Sequence, residues 1–141
     1  MIRRYEEDDV EVVLDIWLSA SIQAHNFVAA EFWVSQVDSM RNVYIPASET
    51  YVYEKESKVV GFYALYENTL AAIFVAPDEQ GRGIGKQLMN HAKRQRTSLT
   101  LSVYKENEPS FIFYRSQGFI VISEQIDEHT GHQEFTMTAG R

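Results

Sequence analysis

The spacing of apolar residues along the chain predicts two helices near its start. A polar, acidic segment at residues 6–9 supplies capping groups for a helix N-terminus. An amphipathic helix is expected to follow, because apolar side chains then recur at i, i+3, i+4, i+7 and i+8: Val10, Val13, Leu14, Trp17 and Leu18. After an interruption at residues 25–27, a second helix is expected over about 29–44, ending before Pro46.

Several shorter runs rich in β-branched and aromatic residues predict strands, at residues 2–5, 50–54, 59–66, 69–76, 99–104, 119–126 and 133–137. Helical segments at 84–96 and 108–117 lie between the later runs. The most apolar run, 69–76, is expected in the middle of a sheet covered on both faces. A helical crossover would place it parallel to 99–104. This order indicates an α/β layer structure with a mixed sheet, formed by a single domain over residues 1–141.

Composition and charge narrow the possible classes of protein. The chain has 141 residues and no cysteine, which excludes disulfides, thiolate metal sites and cysteine nucleophiles and fits a reducing cytoplasm. No apolar run approaches the roughly 20 residues of a membrane helix, so no membrane partner is expected. The formal net charge of −7 disfavours nucleic acid as a partner and favours a cationic acceptor such as an amine.

A glycine-rich segment follows the most apolar strand and leads directly into a helix. Gly81, Gly83 and Gly85 lie within five residues of one another. Such a turn aims backbone N–H groups and the positive end of the helix dipole at one point, which suits a phosphate, although a plain tight connection is the alternative. The P-loop pattern fails because Gln80 replaces its first glycine. The dinucleotide pattern G-x-G-x-x-G fails because Lys86 stands at its last glycine.

Two segments of the chain together carry a family resemblance. The first is Gln-x-x-Gly-x-Gly at Gln80, Gly83 and Gly85, after a strand that ends in Val-x-Pro. In the second, Asn107 precedes a short helix that carries Phe-Tyr and ends in Gly-Phe, over residues 113–119. This combination resembles the GNAT superfamily of N-acetyltransferases, and the resemblance covers the whole chain. Among small bacterial members, the chain is similar to lysine acetyltransferases of the YiaC and YjaB type.

The resemblance implies a GNAT fold and a coenzyme A site. The fold would be a mixed central sheet of about seven strands with helices on both faces, whose parallel fourth and fifth strands splay apart. The donor substrate would be acetyl-CoA, with its pantetheine arm on a strand edge and its pyrophosphate on the glycine-rich segment. The cofactor-binding residues carried over from the family are Phe74, Val75, Ala76, Gln80, Gly81, Arg82, Gly83, Ile84, Gly85 and Lys86. For Arg82 and Lys86, a contact with phosphate and simple exposure to solvent are equally expected.

Two residues of the second segment receive roles from the same resemblance. Tyr114 stands where the family has its general acid, so it would donate a hydrogen bond or a proton to the departing thiolate. The alternative for Tyr114 is a packed aromatic side chain. Asn107 is expected to contact the cofactor, and it also suits the N-cap of the short helix, because one amide can fill both roles. The pair Ser110-Phe111 is a mild departure, since the family usually has a small residue there.

The general base is the least defined part of the expected site. Some family members carry a Glu early on the fourth strand, near Thr69, but no carboxylate stands there. The open candidates are His25, Glu31 and Glu67, or water acting on an amine that arrives neutral. The other histidines show no ligand spacing, so no metal site is expected.

The sequence therefore predicts an N-acetyltransferase that moves the acetyl group of acetyl-CoA to a primary amine by direct attack in a ternary complex. A protein lysine, an N-terminal amine and a small-molecule amine all stay open as acceptors. The alternatives are a non-catalytic acyl-CoA sensor and a toxin that acetylates charged tRNA, which the net charge of −7 disfavours. A cytoplasmic monomer or homodimer is expected.

Overall fold

The computed structural model of the protein describes residues 1–140. The strands are β1 (Ile2–Arg4), β2 (Glu49–Lys55), β3 (Lys58–Tyr66), β4 (Thr69–Val75), β5 (Ser98–Tyr104), β6 (Ile120–Ile126) and β7 (Gln133–Gly140). They form one seven-stranded sheet in the order β1-β2-β3-β4-β5-β7-β6. Neighbouring strands are antiparallel except β4 and β5, which are parallel. The predicted mixed sheet is confirmed.

Helices cover both faces of this sheet. They are α1 (Val10–Ala24), α2 (Ala30–Ser35), α3 (Ile84–Gln95) and α4 (Glu108–Ser116). One hydrophobic cluster joins α1 and α2 to the sheet around Trp17 and Phe62. A second cluster joins α3 to the other face around Tyr63 and Leu88. Because β3 contributes to both clusters, all of its residues from 59 to 65 are buried.

The parallel strands β4 and β5 meet only at one end. Their register contains the single pair Thr69↔Thr100, and beyond it the strands diverge. The 69–76 run lies in the middle of the sheet and is covered on both faces, as expected. Its side chains pack alternately against the two hydrophobic clusters: Leu70, Ile73 and Val75 against one, and Ala72, Phe74 and Ala76 against the other. Within β4 only Leu70 is fully buried, because the residues after it also line the cleft that opens where the strands diverge.

The predicted helix over 29–44 is wrong in its extent. The chain forms α2, breaks at Gln36 and continues through short helical pieces at Val37–Ser39, Met40–Tyr44 and Ile45–Ala47, of which the middle one is a π-helical turn. Pro46 lies inside the last piece, in its first turn, where a missing N–H breaks no intrahelical hydrogen bond. The π-helical turn also shifts later side chains around the axis, so the apolar spacing does not describe one continuous helix face.

The other predicted helices and strands are all present. Among the strands the largest shift is in β7, which continues to Gly140 rather than ending at Met137. The Glu6 and Asp9 side chains form a capping box before α1, as the acidic segment predicted. None of the helices in the described part of the chain has the length and apolar character that crossing a bilayer requires.

Candidate active site

The divergence of β4 and β5 opens a cleft of about 1020 Å³. Its walls come from α1, both diverging strands, the glycine-rich segment and α4. The structure therefore brings together the two segments on which the family resemblance rests, the glycine-rich segment and the one that begins at Asn107. All the predicted site residues line the cleft except Ala76 and Arg82; those that do are Phe74, Val75, Gln80, Gly81, Gly83, Ile84, Gly85, Lys86, Asn107 and Tyr114.

Gly81 and Gly83 give the loop before α3 its shape. Their φ angles are +78° and +83°, in the left-handed region that favours glycine. A Cβ at either position would meet nothing within 4 Å, so glycine is required here for backbone conformation rather than for space. Because α3 begins at Ile84, the N–H groups of its first turn have no intrahelical partner and carry the positive end of the helix dipole. The loop and first turn form a cradle whose geometry suits an anion.

The charged side chains of the cradle are unequally placed. Lys86 lines the cleft and forms no ion pair with a carboxylate among residues 1–140. Arg82 lies outside the cleft lining, with its Nε 4.0 Å from Glu79 Oε1. The same carboxylate oxygen lies 2.9 Å from Lys55 Nζ, and this hydrogen bond holds the pKa of Glu79 below its usual range. The geometry thus favours Lys86 over Arg82 as a phosphate ligand.

The hydrogen bonding of β4 decides which main-chain groups face the cleft. The Ala76 N–H donates to a carbonyl of β3 at 2.8 Å, so Ala76 belongs to the pairing with β3. Successive residues alternate in the direction of their main-chain groups, so Phe74 also faces β3 while Ile73 and Val75 face the cleft. The Val75 carbonyl accepts a hydrogen bond from Gln80 Nε2 at 3.1 Å. Three strand residues were expected to present their main chain to the pantetheine arm, and of these only Val75 has main-chain groups that face the cleft. The main-chain groups of Ile73 also face the cleft, and the sequence analysis missed this residue.

Tyr114 lies on α4 with its ring packed beside two phenylalanines. The ring centroid of Phe113 is 5.7 Å away and that of Phe119 is 5.9 Å away. Phe111 packs instead on Phe135, at 5.2 Å. The Tyr114 hydroxyl makes no hydrogen bond to any group within residues 1–140, and the residue lines the cleft. Tyr114 is therefore a packed aromatic ring whose hydroxyl is available to a ligand.

The environment of Tyr114 determines what its hydroxyl can do. Burial raises the pKa of Tyr114 to about 12, so the hydroxyl is protonated at neutral pH and acts as a hydrogen-bond donor. A thiol has a pKa of about 8.5, so complete transfer of the proton from Tyr114 to a thiolate would cost about 5 kcal/mol. Tyr114 is thus suited to stabilising a thiolate by a hydrogen bond rather than by giving up its proton.

Asn107 caps α4 and also reaches the end of α1. Its Oδ1 accepts a hydrogen bond from the Ser110 N–H at 3.4 Å, which confirms the predicted N-cap. Its Nδ2 lies 3.2 Å from Nε2 of His25, the first residue after α1. Both side chains are buried, with Asn107 6% and His25 8% exposed. The amide N–H₂ that the sequence left for a cofactor is therefore already bonded to His25 through one of its hydrogens.

The three residues considered as general bases are poorly placed for that role. Glu31 is exposed on α2 and Glu67 is exposed in the turn between β3 and β4, and neither lines the cleft. His25 does line the cleft, but its Nε2 is bonded to Asn107. Burial lowers the pKa of His25 to about 4, and the Ser21 carbonyl, which accepts a hydrogen bond from the His25 backbone N–H at 3.0 Å, opposes this shift with a smaller effect. At neutral pH His25 has no free basic nitrogen.

Two carboxylates that the sequence analysis missed do line the cleft, Glu106 and Glu134. Glu134 lies on β7 directly opposite Tyr104 of β5, and residues directly opposite each other in an antiparallel pair share a face of the sheet. Its Oε1 accepts a hydrogen bond from Gln125 Nε2 at 3.2 Å. Glu106 Oε1 lies 3.2 Å from His132 Nδ1. No local sequence signal marks these residues, because Glu134 reaches the cleft through the register between β5 and β7 and Glu106 through the loop that follows β5.

The buried neutral His25 predicts a loss of stability in mild acid. Its pKa of about 4 lies below the ordinary value of 6.5. Between these values the unfolded chain binds a proton that the folded chain does not, so the free energy of unfolding falls as pH falls. A His25→Gln variant lacks this titration. Urea denaturation at about pH 7 and about pH 4.5 should show the wild type losing about 2 kcal/mol more than the variant. Equal losses of stability in the two proteins would contradict the assignment of this titration to His25.

The fold and the cleft define a class of enzyme. A parallel strand pair that diverges beside an anion cradle, with a protonated tyrosine in the same cleft, suits acyl transfer from a coenzyme A thioester. Residues 46–121 match the sequence profile of a family described as "Acetyltransferase (GNAT) domain". The chain belongs to the GNAT acetyltransferase family. As a member of this family it is an N-acetyltransferase whose acetyl donor is acetyl-CoA.

The chain is similar to proteins of known activity over most of its length. It is 35% identical over 123 residues to peptidyl-lysine N-acetyltransferase YiaC of Escherichia coli K12, covering 86% of this chain and 84% of that protein. It is 32% identical over 121 residues to peptidyl-lysine N-acetyltransferase YjaB of the same strain, covering 85% and 82%. The solution structure of apo YjaB from Escherichia coli superposes with a TM-score of 0.86 and 28% identity, covering 98% of this chain and 95% of that one. The expected GNAT fold is confirmed.

Proposed function

We propose that this protein transfers the acetyl group of acetyl-CoA to the side-chain amine of a lysine in another protein, by direct attack in a ternary complex. The observation that carries this proposal is a single cleft, one part of which suits an anion and another part a cation. The glycine cradle and Lys86 suit a diphosphate, while Glu106 and Glu134 suit an ammonium group. Residues 1–141 act as one domain in this proposal, because one sheet includes strands from both ends of the chain.

The donor side of the proposal uses backbone groups and one cation. The unpaired N–H groups at the start of α3 would hold the pyrophosphate, with Lys86 adding a positive charge. The main-chain groups of Ile73 and Val75 would pair with the amides of the pantetheine arm, as an added strand does at a sheet edge. This places the thioester along the open edge of β4.

The chemistry requires little from ionisable side chains. The amine attacks the thioester carbonyl, a C–N bond forms, and the C–S bond breaks to release a thiolate. A backbone N–H on the edge of β4 would stabilise the tetrahedral oxyanion, and the Tyr114 hydroxyl would donate a hydrogen bond to the departing thiolate. Because His25, Glu31 and Glu67 are poorly placed as bases, the amine would arrive neutral or lose its proton to water.

The acceptor side favours a cation. Glu106 and Glu134 line the cleft, and the chain as a whole is acidic, with a formal net charge of −7. Two relatives that share about a third of their residues with this chain are named for acetylating peptidyl lysine. The same charge argues against the tRNA-acetylating alternative. A cytoplasmic location and a monomeric or homodimeric state complete the proposal.

An assay of thiol release with a panel of amines tests this proposal. The panel would contain a lysine peptide, the same peptide with its lysine replaced and its N-terminus free, spermidine and an aminoglycoside. We expect the highest kcat/KM for the lysine peptide, with mass spectrometry placing the acetyl group on the lysine. Faster reaction with spermidine would make the enzyme a small-molecule acetyltransferase. Tight acetyl-CoA binding without turnover of any amine would support the sensor alternative, against which family membership and the available Tyr114 hydroxyl argue.

Substitution of Glu134 tests the acceptor side separately. Glu134→Gln removes a negative charge from the cleft and should raise the KM for a lysine peptide about fivefold, or about 1 kcal/mol. The affinity for acetyl-CoA should stay unchanged. Glu128→Gln is the matched control, because Glu128 is exposed in the same hairpin but does not line the cleft. Equal effects of the two substitutions on KM would exclude a specific role for Glu134.

A further inference from the structure

A buried side-chain hydrogen bond joins two walls of the cleft that are far apart in sequence. Asn107 Nδ2 at the start of α4 lies 3.2 Å from His25 Nε2 at the end of α1, across a separation of 82 positions. Both residues line the cleft and both are at least nine-tenths buried. This bond is a direct side-chain link between the end of α1 and α4, the helix that carries Tyr114.

The geometry fixes which atom of this pair donates. Asn107 Oδ1 accepts from the Ser110 N–H, so its Nδ2 must face His25 and donate to Nε2. His25 is then the neutral tautomer with its proton on Nδ1, a nitrogen that has no hydrogen-bond partner among the described residues. The rings packed around His25 are uncharged: Trp33 at 5.0 Å, Tyr104 at 5.1 Å and Phe27 at 5.8 Å. The Ser21 carbonyl favours a charged imidazole, but burial among these rings outweighs it.

The helix that carries Tyr114 packs against the core through partly buried side chains, those of Phe111, Phe113 and Tyr114. No residue of α4 is fully buried. Its ring contacts outside the helix are Phe111 on Phe135 and Tyr114 on Phe119. Tyr114 is seven positions after Asn107, which is about two helical turns, so the two residues lie on the same face of α4. A shift of the first turn would therefore move the Tyr114 hydroxyl.

We propose that His25 is a positioning residue, which accepts a hydrogen bond from Asn107 and so holds the first turn of α4 and the Tyr114 hydroxyl in place. This inference rests on the proposed role of Tyr114 in acetyl transfer. His25 touches neither reacting atom in this arrangement, and its ring stays neutral throughout the reaction.

The tautomer of His25 is a direct readout of the bond. Long-range ¹H–¹⁵N NMR spectra of the wild-type protein at neutral pH should show His25 protonated on Nδ1 and bare on Nε2. The His25→Gln variant identifies the signal by its loss. A proton on Nε2 would mean that Asn107 does not donate there, and it would overturn the inference whether or not the enzyme has been shown to transfer acetyl groups.

A pair of polar substitutions separates positioning from general structural damage. A Gln side chain places an amide oxygen about where His Nε2 lies, while Asn is one carbon shorter and does not reach Asn107. His25→Gln should keep kcat within about threefold of the wild type, and His25→Asn should lower kcat about tenfold, with the KM for acetyl-CoA unchanged in both. Equal kcat values in the two variants, or a rise in that KM matching the loss in kcat, would overturn the inference. If His25→Asn does not fold, the tautomer measurement decides.

A double-mutant cycle tests whether His25 acts through Tyr114. On the Tyr114→Phe background, which has no hydroxyl to position, His25→Asn should lower kcat less than about twofold. A further tenfold loss on that background would show an independent effect and overturn the inference. If Tyr114→Phe alone leaves kcat unchanged, Tyr114 has no role for His25 to support and the inference falls, while acetyl transfer itself stands on the amine assay.

Discussion

Replacing Gly83 with valine should weaken the binding of coenzyme A about 100-fold. Gly83 has a φ of +83°, a conformation that costs a residue with a Cβ about 1–2 kcal/mol and a β-branched residue more. Nothing lies within 4 Å of the added Cβ, so the cost is conformational rather than steric. A valine that relaxes to a negative φ would turn the N–H groups of the loop away from the ligand. Gly83→Ala should weaken the binding of coenzyme A about tenfold. Isothermal titration calorimetry with coenzyme A measures both changes.

Gly131 provides the matched control for this prediction. Its φ is +77° and a Cβ there also meets nothing within 4 Å, but it lies in the turn between β6 and β7 and does not line the cleft. Gly131→Val should therefore lose about as much stability on thermal denaturation as Gly83→Val does. Unlike Gly83→Val, it should keep the wild-type affinity for coenzyme A. Undiminished affinity in a folded Gly83→Val protein would refute the assignment of the pyrophosphate site.

Replacing Tyr114 with phenylalanine should lower kcat by one to two orders of magnitude and leave the affinity for acetyl-CoA nearly unchanged. The ring keeps its packing beside Phe113 and Phe119, and only the hydroxyl of this cleft-lining residue is lost. The loss falls on the transition state, where charge develops on the departing sulfur. Thiol release at saturating lysine peptide gives kcat, and calorimetry gives the affinity.

The pKa of about 12 adds a second expectation for Tyr114. A hydroxyl that is still protonated at high pH produces no fall in kcat between about pH 7 and about pH 10. Tyr66→Phe serves as the control for the effect of Tyr114→Phe on kcat, because Tyr66 is exposed and outside the cleft. Equal kcat values for Tyr114→Phe and the wild type would remove Tyr114 from the mechanism.

The parts of the site that could be predicted are contiguous in sequence. The glycine cradle lies within one turn and the first turn of the helix that follows it, and its left-handed glycines act on their own backbone. The cap of α4 by Asn107 likewise spans only the distance to Ser110. Interactions between neighbours along the chain are set by residue type and spacing, so sequence analysis finds them.

The errors and omissions concern features that depend on packing. The apolar run at 69–76 forms a strand covered on both faces, as expected, but it also lines the cleft that opens where β4 diverges from β5, which its composition alone does not show. Apolar side chains are required both in a core and along a pantetheine groove, so composition cannot separate the two environments. The helix over 29–44 was expected to be continuous, but a break at Gln36 and a π-helical turn rearrange it. Local apolar spacing does not reveal such shifts.

The amino-acid sequence by itself determined the order of the strands and of the main helices, the glycine-rich loop before α3 and the family of the enzyme, because these depend on residue types at short, fixed spacings. Only the tertiary structure decided that Glu134 shares a sheet face with Tyr104, that Val75 rather than Ala76 opens to the cleft, and that His25 bonds to Asn107. Each of these contacts joins segments brought together by strand register or by the docking of a helix. Such contacts form only when the whole hydrophobic core closes, so no local pattern specifies them.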